Sequence, residues 1–246
     1  MSTIASLEYL RENMPHNIDM IEVILRGRSA ILHIECEGVV LREETSGAYM
    51  ITAENELSFN ALVRYIDSPG IIATHESFYI DKLIERYNLR LEMTCRQAVW
   101  PKNKKPPEIT GVENIQLLTE EHLEEVNRNY SVKVGKKYLE GRIAAGELYG
   151  AFIDNTLVGF IGLHEEGSIG ILEVLKDYRR QGVAQDLIAH IINVQHAQGH
   201  IPYGQFSVEN TASMALLEKT GFILSGEDEL IYWLSNAKST GAFYGD

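Results

Sequence analysis

Val174-Leu175-Lys176-Asp177-Tyr178-Arg179-Arg180-Gln181-Gly182-Val183-Ala184 is the stretch on which the reading of this chain turns. It follows an apolar run, SIGILEVL (168–175). It opens an amphipathic run from about Val183 to Gln198, in which Val183, Leu187, Ile188, Ile191 and Ile192 share one face. The spacing predicts a strand, a basic loop and a long helix ended by Gly199. The first turn of a helix has backbone N–H groups without internal partners, and the helix dipole makes that end positive. Gly182 keeps a side chain out of the way, Ala184 is small, and Arg179 and Arg180 add charge. Arg179, Arg180, Gln181, Gly182, Val183, Ala184 and Gln185 therefore read as a cradle for a pyrophosphate. The competing reading is an ordinary strand-to-helix loop with two exposed arginines. Three spaced glycines of the dinucleotide type are absent, and no Gly-Lys-Ser/Thr follows, so neither of those phosphate motifs applies.

Working outward, Thr119 is placed to cap a helix whose first turn holds Glu120 and Glu121. A second helix, KKYLEGRIAA (136–145), stops near Gly146. LYGAFID (148–154) and TLVGFIGLHEE (156–166), joined at Asp154-Asn155, predict a β-hairpin. Downstream, YGQFSV (203–208) reads as a strand, TASMALLEK (211–219) as a helix stopped by Gly221, and FILSG (222–226) with ELIYWL (229–234) as a last hairpin. The tail KSTGAFYGD (238–246) reads as a loose end. Upstream, Trp100-Pro101-Lys102-Asn103-Lys104-Lys105-Pro106-Pro107 reads as a solvated linker, and the domain boundary is placed there, giving domains 1–106 and 107–246. The first half repeats the order of the second: a hairpin (SAILHIE, GVVLREE), a strand (AYMITA), a helix (NELSFNALVRYI), a strand (GIIATH), a helix (ESFYIDKLIERY) and a strand (RLEMTCRQAVW). An internal duplication and a coincidence of α/β order both fit. The expected class is α/β (α+β), a mixed, mostly antiparallel sheet flanked by helices.

Bulk properties narrow the partners. The chain has 246 residues, 45% hydrophobic and 23% charged, an ordinary globular profile. Its formal net charge of -13 argues against nucleic acid, which requires a concentrated basic surface. The charge is compatible with a cationic substrate, although most acidic surfaces serve solubility. No apolar run approaches the ~20 residues of a membrane span. MSTIASLEYLRENM, with Glu8 and Glu12, does not read as a secretory signal. Cys36 and Cys95 make neither a disulfide framework nor a metal site, so the expectation is a cytoplasmic, metal-free protein with no membrane partner.

With these elements in place, V-x4-R-R-x-G-x-A, from Val174 to Ala184, resembles the acetyl-CoA motif of the GNAT superfamily, the GCN-related N-acetyltransferases. Asn210-Thr211-Ala212-Ser213-Met214-Ala215-Leu216-Leu217-Glu218-Lys219-Thr220-Gly221-Phe222 is similar to that family's second motif. The resemblance spans roughly residues 112 to 234. LHEEGSIGILEV and GHIPYGQFSVEN further resemble a glycine N-acyltransferase-like branch. The resemblance implies a GNAT-like C-terminal domain using acetyl-CoA as co-substrate; if the first half is a repeat of it, that half is a degenerate GNAT-like N-terminal domain that has lost the cofactor loop. It also implies that Leu172, Glu173 and Val174 pair with the pantetheine arm, which enters a V-shaped opening beside the strand GQFSV. The amides of Arg180 to Gln185 would hold the pyrophosphate, and Asn210, with Ser213 near it, would bond the arm.

The mechanism so implied is direct attack of a neutral amine on the thioester, with the Val174 amide stabilising the developing oxyanion. The family's two glutamate positions hold Ser168 and Gln205 here. Glu173, alone in an apolar strand, is then one candidate base, either desolvated or turned to water; Glu166, with Glu165 and His164, is another, and Glu209 a weaker one. Leu217 stands where many members carry a proton-donating tyrosine, leaving Ser213, Tyr203, Tyr178 or water for that task. Three functions stay open: an N-acyltransferase for a small amine or amino acid, a protein-modifying acetyltransferase docking its target on the first domain, and a non-catalytic acyl-CoA sensor. A homodimer is also left open.

Overall fold

The computed structural model describes residues 3–112, 114–132 and 134–236. Two helices open it, α1 (Thr3–Glu12) and α2 (Met14–Leu25), and Pro15 occupies the first turn of α2, where its missing N–H costs nothing. Strands β1 (Ser29–Glu35), β2 (Gly38–Glu43) and β3 (Tyr49–Ala53) pair antiparallel in succession. Helix α3 (Glu56–Leu62) crosses over to β4 (Ile71–Thr74), which runs parallel to β3. Helix α4 (Ile80–Tyr87) leads into β5 (Arg90–Val99). Strands β3 and β4 are buried along their whole length, as the unbroken apolar runs YMITA and IIAT require.

The chain divides into two compact units. The first contains the residues up to Val99 together with the segment that starts at Gln205, and the second runs from Trp100 to Gly204. The proline-rich stretch read as a linker starts in the second unit with an anchor. Trp100 is 1% exposed; its backbone N–H donates to Pro202 O at 2.8 Å and its indole N–H to Lys104 O at 3.1 Å.

In the second unit come β6 (Asn114–Leu117), α5 (Leu123–Asn129) and α6 (Lys136–Ala144), then β7 (Leu148–Ile153), β8 (Thr156–Leu163), β9 (Ile169–Val174), α7 (Val183–Ala197) and β10 (Tyr203–Ser207). Thr119 caps the turn before α5 as expected, with His122 completing a capping box. Strands β6 to β9 are antiparallel neighbours, and β10 pairs parallel to β9 at Gly204↔Ile169. The β7–β8 turn places Asp154 and Asn155 at φ 49° and 61°, the left-handed pair of a type I′ hairpin. Leu139, Leu148, Leu157, Phe160 and Ile171 centre the core beneath this sheet. Val183, Leu187, Ile188, Ile191 and Ile192 of α7 are all buried, the face read from periodicity.

The chain passes to the first unit at Gln205, within β10, and continues with α8 (Thr211–Thr220), β11 (Ile223–Leu224) and β12 (Ile231–Ser235). The expected last hairpin is corrected here. β11 pairs with β5 at Ile223↔Val99 and Leu224↔Ala98, and β12 pairs with β5 from Ile231↔Cys95 to Ser235↔Arg90, both antiparallel. The chain therefore keeps its direction along β5. The intervening residues form a bulge, held by the Glu229 carboxylate on the Gly226 N–H at 2.6 Å. β12 also pairs with β4, so it fills the slot between β4 and β5. Residues 223–235, read as part of the second domain, thus lie in the first unit's sheet. The tail 238–246 lies outside the described residues.

Both units share one order: three antiparallel strands, a helix, then a strand parallel to the third. The whole is a mixed α/β fold with mostly antiparallel pairing.

Candidate functional site

The site in the second unit begins on β9. Its pairing with β8 slips between Phe160 and Gly162, opposite Ile171, whose φ is 51°. A β-branched residue in that left-handed region costs roughly 1–2 kcal/mol, so the packing of a buried Ile171 side chain must hold the bulge. Past the bulge, the Leu175 N–H donates to Val158 O on β8 at 2.9 Å. Strand alternation then turns the backbone groups of Val174 and Leu172 to the opposite edge, and those of Glu173 toward β8. Among the described residues, β9 pairs with β10 only at Ile169, so this edge is open from Gly170 to Val174. Leu172 and Val174 thus fit the role of pairing an extended ligand arm.

The loop after β9 ends in a helix start with no side-chain cap. Arg180 has φ 66° and Gly182 has φ 88°. Two left-handed residues so close together curl the chain and turn successive N–H groups inward, as in an anion nest. The backbone N–H groups of Arg180, Gln181, Gly182, Val183 and Ala184 have no hydrogen-bond partner among the described residues; pairing resumes at Gln185 and Asp186, which both donate to Gly182 O. A Cβ built on Gly182 meets nothing within 4 Å. Five free donors, a 15-residue helix behind them and open space in front fit a diphosphate.

The two arginines divide their work. The Arg179 guanidinium turns back onto β9, donating to Val174 O at 2.8 Å and to Glu173 Oε1 at 3.0 Å. Glu173 Oε2 accepts the Ser131 N–H at 3.0 Å, and the side chain is only 10% exposed. Both carboxylate oxygens of Glu173 are thereby engaged, binding the loop after α5 to β9. The Arg180 guanidinium has no hydrogen bond or ion pair among the described residues. Gln181 donates to Asp177 O at 3.0 Å and tightens the loop.

Asp186 is a residue that the sequence reading passed over. It is 2% exposed in the first turn of α7, and it accepts the N–H groups of Thr110, Gly111 and Val112 at 2.9, 2.7 and 2.8 Å. It fastens the approach to β6 onto the helix that carries the cradle.

At the β8–β9 turn, His164 Nδ1 lies 2.5 Å from the Tyr138 hydroxyl. Burial lowers the His164 pKa; Glu166 opposes that and Arg142 adds to it. Burial, then Glu166 and Glu165, raises the Tyr138 phenol well above its usual range. Glu166 Oε1 accepts the Ser168 hydroxyl, and the Glu166 carbonyl accepts the hydroxyl of fully buried Tyr203 at 3.0 Å. Glu165 stands 3.9 Å from the guanidinium of buried Arg142. Glu166 Oε2 has no partner among the described residues. Tyr203 is committed to a carbonyl, which removes it as a free acid.

Five of the residues singled out in the sequence, Gln205, Glu209, Asn210, Ser213 and Leu217, fall in the first unit. Asn210 caps α8, its side chain accepting the Ser213 N–H at 3.1 Å. Gln205 donates to Asp19 Oδ2 at 3.1 Å and accepts the Trp233 indole N–H at 2.8 Å. Leu217 is buried at 3% exposure. In this unit the crossover after β3 is short and acidic, Glu54-Asn55-Glu56, and the Asn55 side chain closes the start of α3 by accepting the Ser58 N–H at 3.0 Å. No group of metal-ligating side chains occurs among the described residues, and no described helix is long and apolar enough to cross a membrane.

Residues 113–222 match the model of the acetyltransferase (GNAT) family. No curated protein matches the sequence. Solved structures with a similar fold include a Drosophila protein at TM-score 0.62 and 14% identity, covering 97% of this chain and 98% of that one. A GCN5-related N-acetyltransferase from Kribbella flavida gives TM-score 0.57 and 11% identity, covering 92% and 96%. A GCN5-related N-acetyltransferase-like protein from Streptococcus suis gives 0.52 and 14%, covering 95% and 98%. At these identities the likeness is one of fold.

Proposed function

We propose that this chain, whose residues 113–222 belong to the acetyltransferase (GNAT) family, moves an acyl group from acyl-CoA to a primary amine. The observation that carries the proposal is the row of five unpartnered backbone N–H groups from Arg180 to Ala184. Acyl-CoA is a substrate here, and it supplies an activated thioester. The N–H row and the Arg180 side chain hold its diphosphate, and the edge of β9 at Leu172 and the Val174 N–H holds its arm, the Val174 carbonyl being taken by Arg179. The Val174 N–H, turned away from β8, is the donor we assign to the charge that develops on the acyl oxygen, a contribution commonly worth roughly 3–4 kcal/mol. Asn210 and Ser213 remain candidates for further contacts to the arm.

The amine must lose a proton before it attacks. Glu173 has both oxygens engaged, whereas Glu166 keeps Oε2 free beside Ser168. We assign the proton to Glu166, with His164 and Tyr138 shaping its surroundings. The shared strand order supports a first unit derived by duplication, and its closed, acidic helix start supports loss of phosphate binding there.

Calorimetry with CoA, and release of free thiol from acetyl-CoA with a panel of amines and amino acids, test the proposal. CoA binding that Gly182→Glu abolishes, with thiol release on at least one amine, is the expected result; unaltered CoA affinity in that variant refutes the cradle. Buried Leu217, in place of a hydroxyl donor, favours one second reading, an acyl-CoA sensor. Tight binding with no turnover on any acceptor would select it.

A further inference from the structure

The first unit holds a cavity of about 390 Å³, lined only by residues outside the family-matched segment. Its wall carries the carboxylates of Glu54, Glu76, Asp228 and Glu229 and no lysine or arginine. Two of these carboxylates are fixed in place. Glu76 accepts the Thr52 hydroxyl at 2.6 Å and the Ala53 N–H at 3.0 Å, and Glu229 accepts the Asn13 amide at 2.8 Å and the Gly226 N–H at 2.6 Å. Despite its burial, Glu229 is held below the usual carboxylate range by the Gly226 N–H and Asn13, with Arg96 adding to the effect. His75, also on the wall, faces an acceptor from each ring nitrogen, Asp19 Oδ1 at 3.0 Å and Ile51 O at 3.2 Å. Both ring nitrogens therefore donate and the ring is a cation, which buried Asp19 neutralises; Arg96 acts on Glu229 from behind the wall, and the wall keeps an excess of negative charge.

A second observation is independent of that charge. His16 and Asn17 line the cavity at 9% and 5% exposure, and His16 Nδ1 and Asn17 Oδ1 have no hydrogen-bond partner. Burial and the neighbouring His75 push His16 down to about 4, so its ring is neutral. The ring bonds the backbone of His75, and Nδ1 is its unpartnered nitrogen, so Nε2 carries the hydrogen and Nδ1 the lone pair. Both unpartnered atoms on this wall are thus acceptors. Buried acceptors without donors are costly, and a ligand bearing N–H groups would satisfy them. Tyr9, Phe78 and Tyr232 add aromatic surface suited to a cation.

We infer that this cavity binds a small organic cation carrying N–H donors, of the primary ammonium or amidinium class. The four carboxylates supply its counter-charge, and the acceptors on His16 and Asn17 distinguish it from a quaternary ammonium. The same charge excludes a vestigial phosphate site.

The test is calorimetry on the full chain with 1,4-diaminobutane, tetramethylammonium and butyrate at millimolar concentration. The diamine binds, and the other two do not. Glu54→Gln/Asp228→Asn removes two wall charges; Asp228 has no hydrogen bond among the described residues, and Glu54 has only a 3.4 Å contact with Tyr9. A thermal melt checks that this variant is folded, and its diamine affinity is about tenfold lower. In histidine ring nitrogen spectra, the diamine shifts His16 Nδ1. Gly182→Glu binds the diamine as the wild type does, which separates this site from the cradle. Absence of diamine binding, equal binding of tetramethylammonium, unchanged affinity in the double variant, or a silent His16 resonance would each overturn the inference.

Discussion

Replacing Gly182 separates backbone strain from electrostatics. The residue has φ 88°, and a Cβ there meets nothing within 4 Å. Alanine therefore adds no clash and brings only the left-handed penalty, roughly 1–2 kcal/mol of stability. Asparagine, which tolerates that region, loses less. Glutamate carries the same backbone penalty and adds a negative charge at the helix start. At about 4 Å from a phosphate charge and an effective dielectric of about 20, the repulsion is about 4 kcal/mol, roughly a thousandfold in affinity. Urea unfolding should place alanine and glutamate variants at the same stability, while CoA calorimetry separates them by orders of magnitude. Added salt should recover part of the glutamate loss. Equal CoA affinity in the two variants would show that no anion sits at this turn, and the reasoning would fail with it.

Asp186→Ala strips the acceptor from three backbone donors and should cost about 3–5 kcal/mol in urea unfolding; a loss under about 1 kcal/mol would mean the three bonds carry no net stability. Gly170→Ala places a Cβ 2.1 Å from His164 Nε2, so the ring must leave Tyr138; we expect a fall in kcat with unchanged CoA affinity, and unaltered kcat would remove His164 from the reaction. The folded pKa of His164 lies below its unfolded value of about 6.5, so the unfolded chain binds the extra proton and stability declines as pH drops through about 6.5 toward that lower value. His164→Gln should flatten this limb of the urea-midpoint profile, and an unaltered slope would contradict the assignment. A fragment of residues 1–106 lacks β12 and should show no cooperative unfolding transition; a sharp one would mean the slot between β4 and β5 closes by itself.

Sequence legibility followed the range of the interactions. The basic loop and α7 were readable because a glycine, a charge pair and an apolar period all lie within 25 residues. Asp186 was not, because an acidic residue in a first helical turn already has a local explanation, and its three partners lie 74 to 76 residues away. Glu173 stood out as a lone charge in an apolar strand, and its nearby partner Arg179 was visible; the Ser131 N–H that occupies its second oxygen was not. The last two strands were misread because Ser225-Gly226 looks like a reversal. The long-range partner that keeps the chain straight, β5, leaves no local trace. The helices α1 and α2 escaped because α2 is buried nearly all round and has no polar face to show a period.

The seating of β12 bears on how the polypeptide is made. A ribosome releases residues 3–99 long before Ile231–Ser235 leave the exit tunnel. At roughly 5–20 residues per second, the wait is on the order of ten seconds. Throughout that time the nascent β4 and β5 have an empty lane between them, bordered by unpaired backbone N–H and C=O groups open to misannealing. The unit translated first is therefore finished last, and chaperone occupancy on translating ribosomes should persist until β12 has emerged.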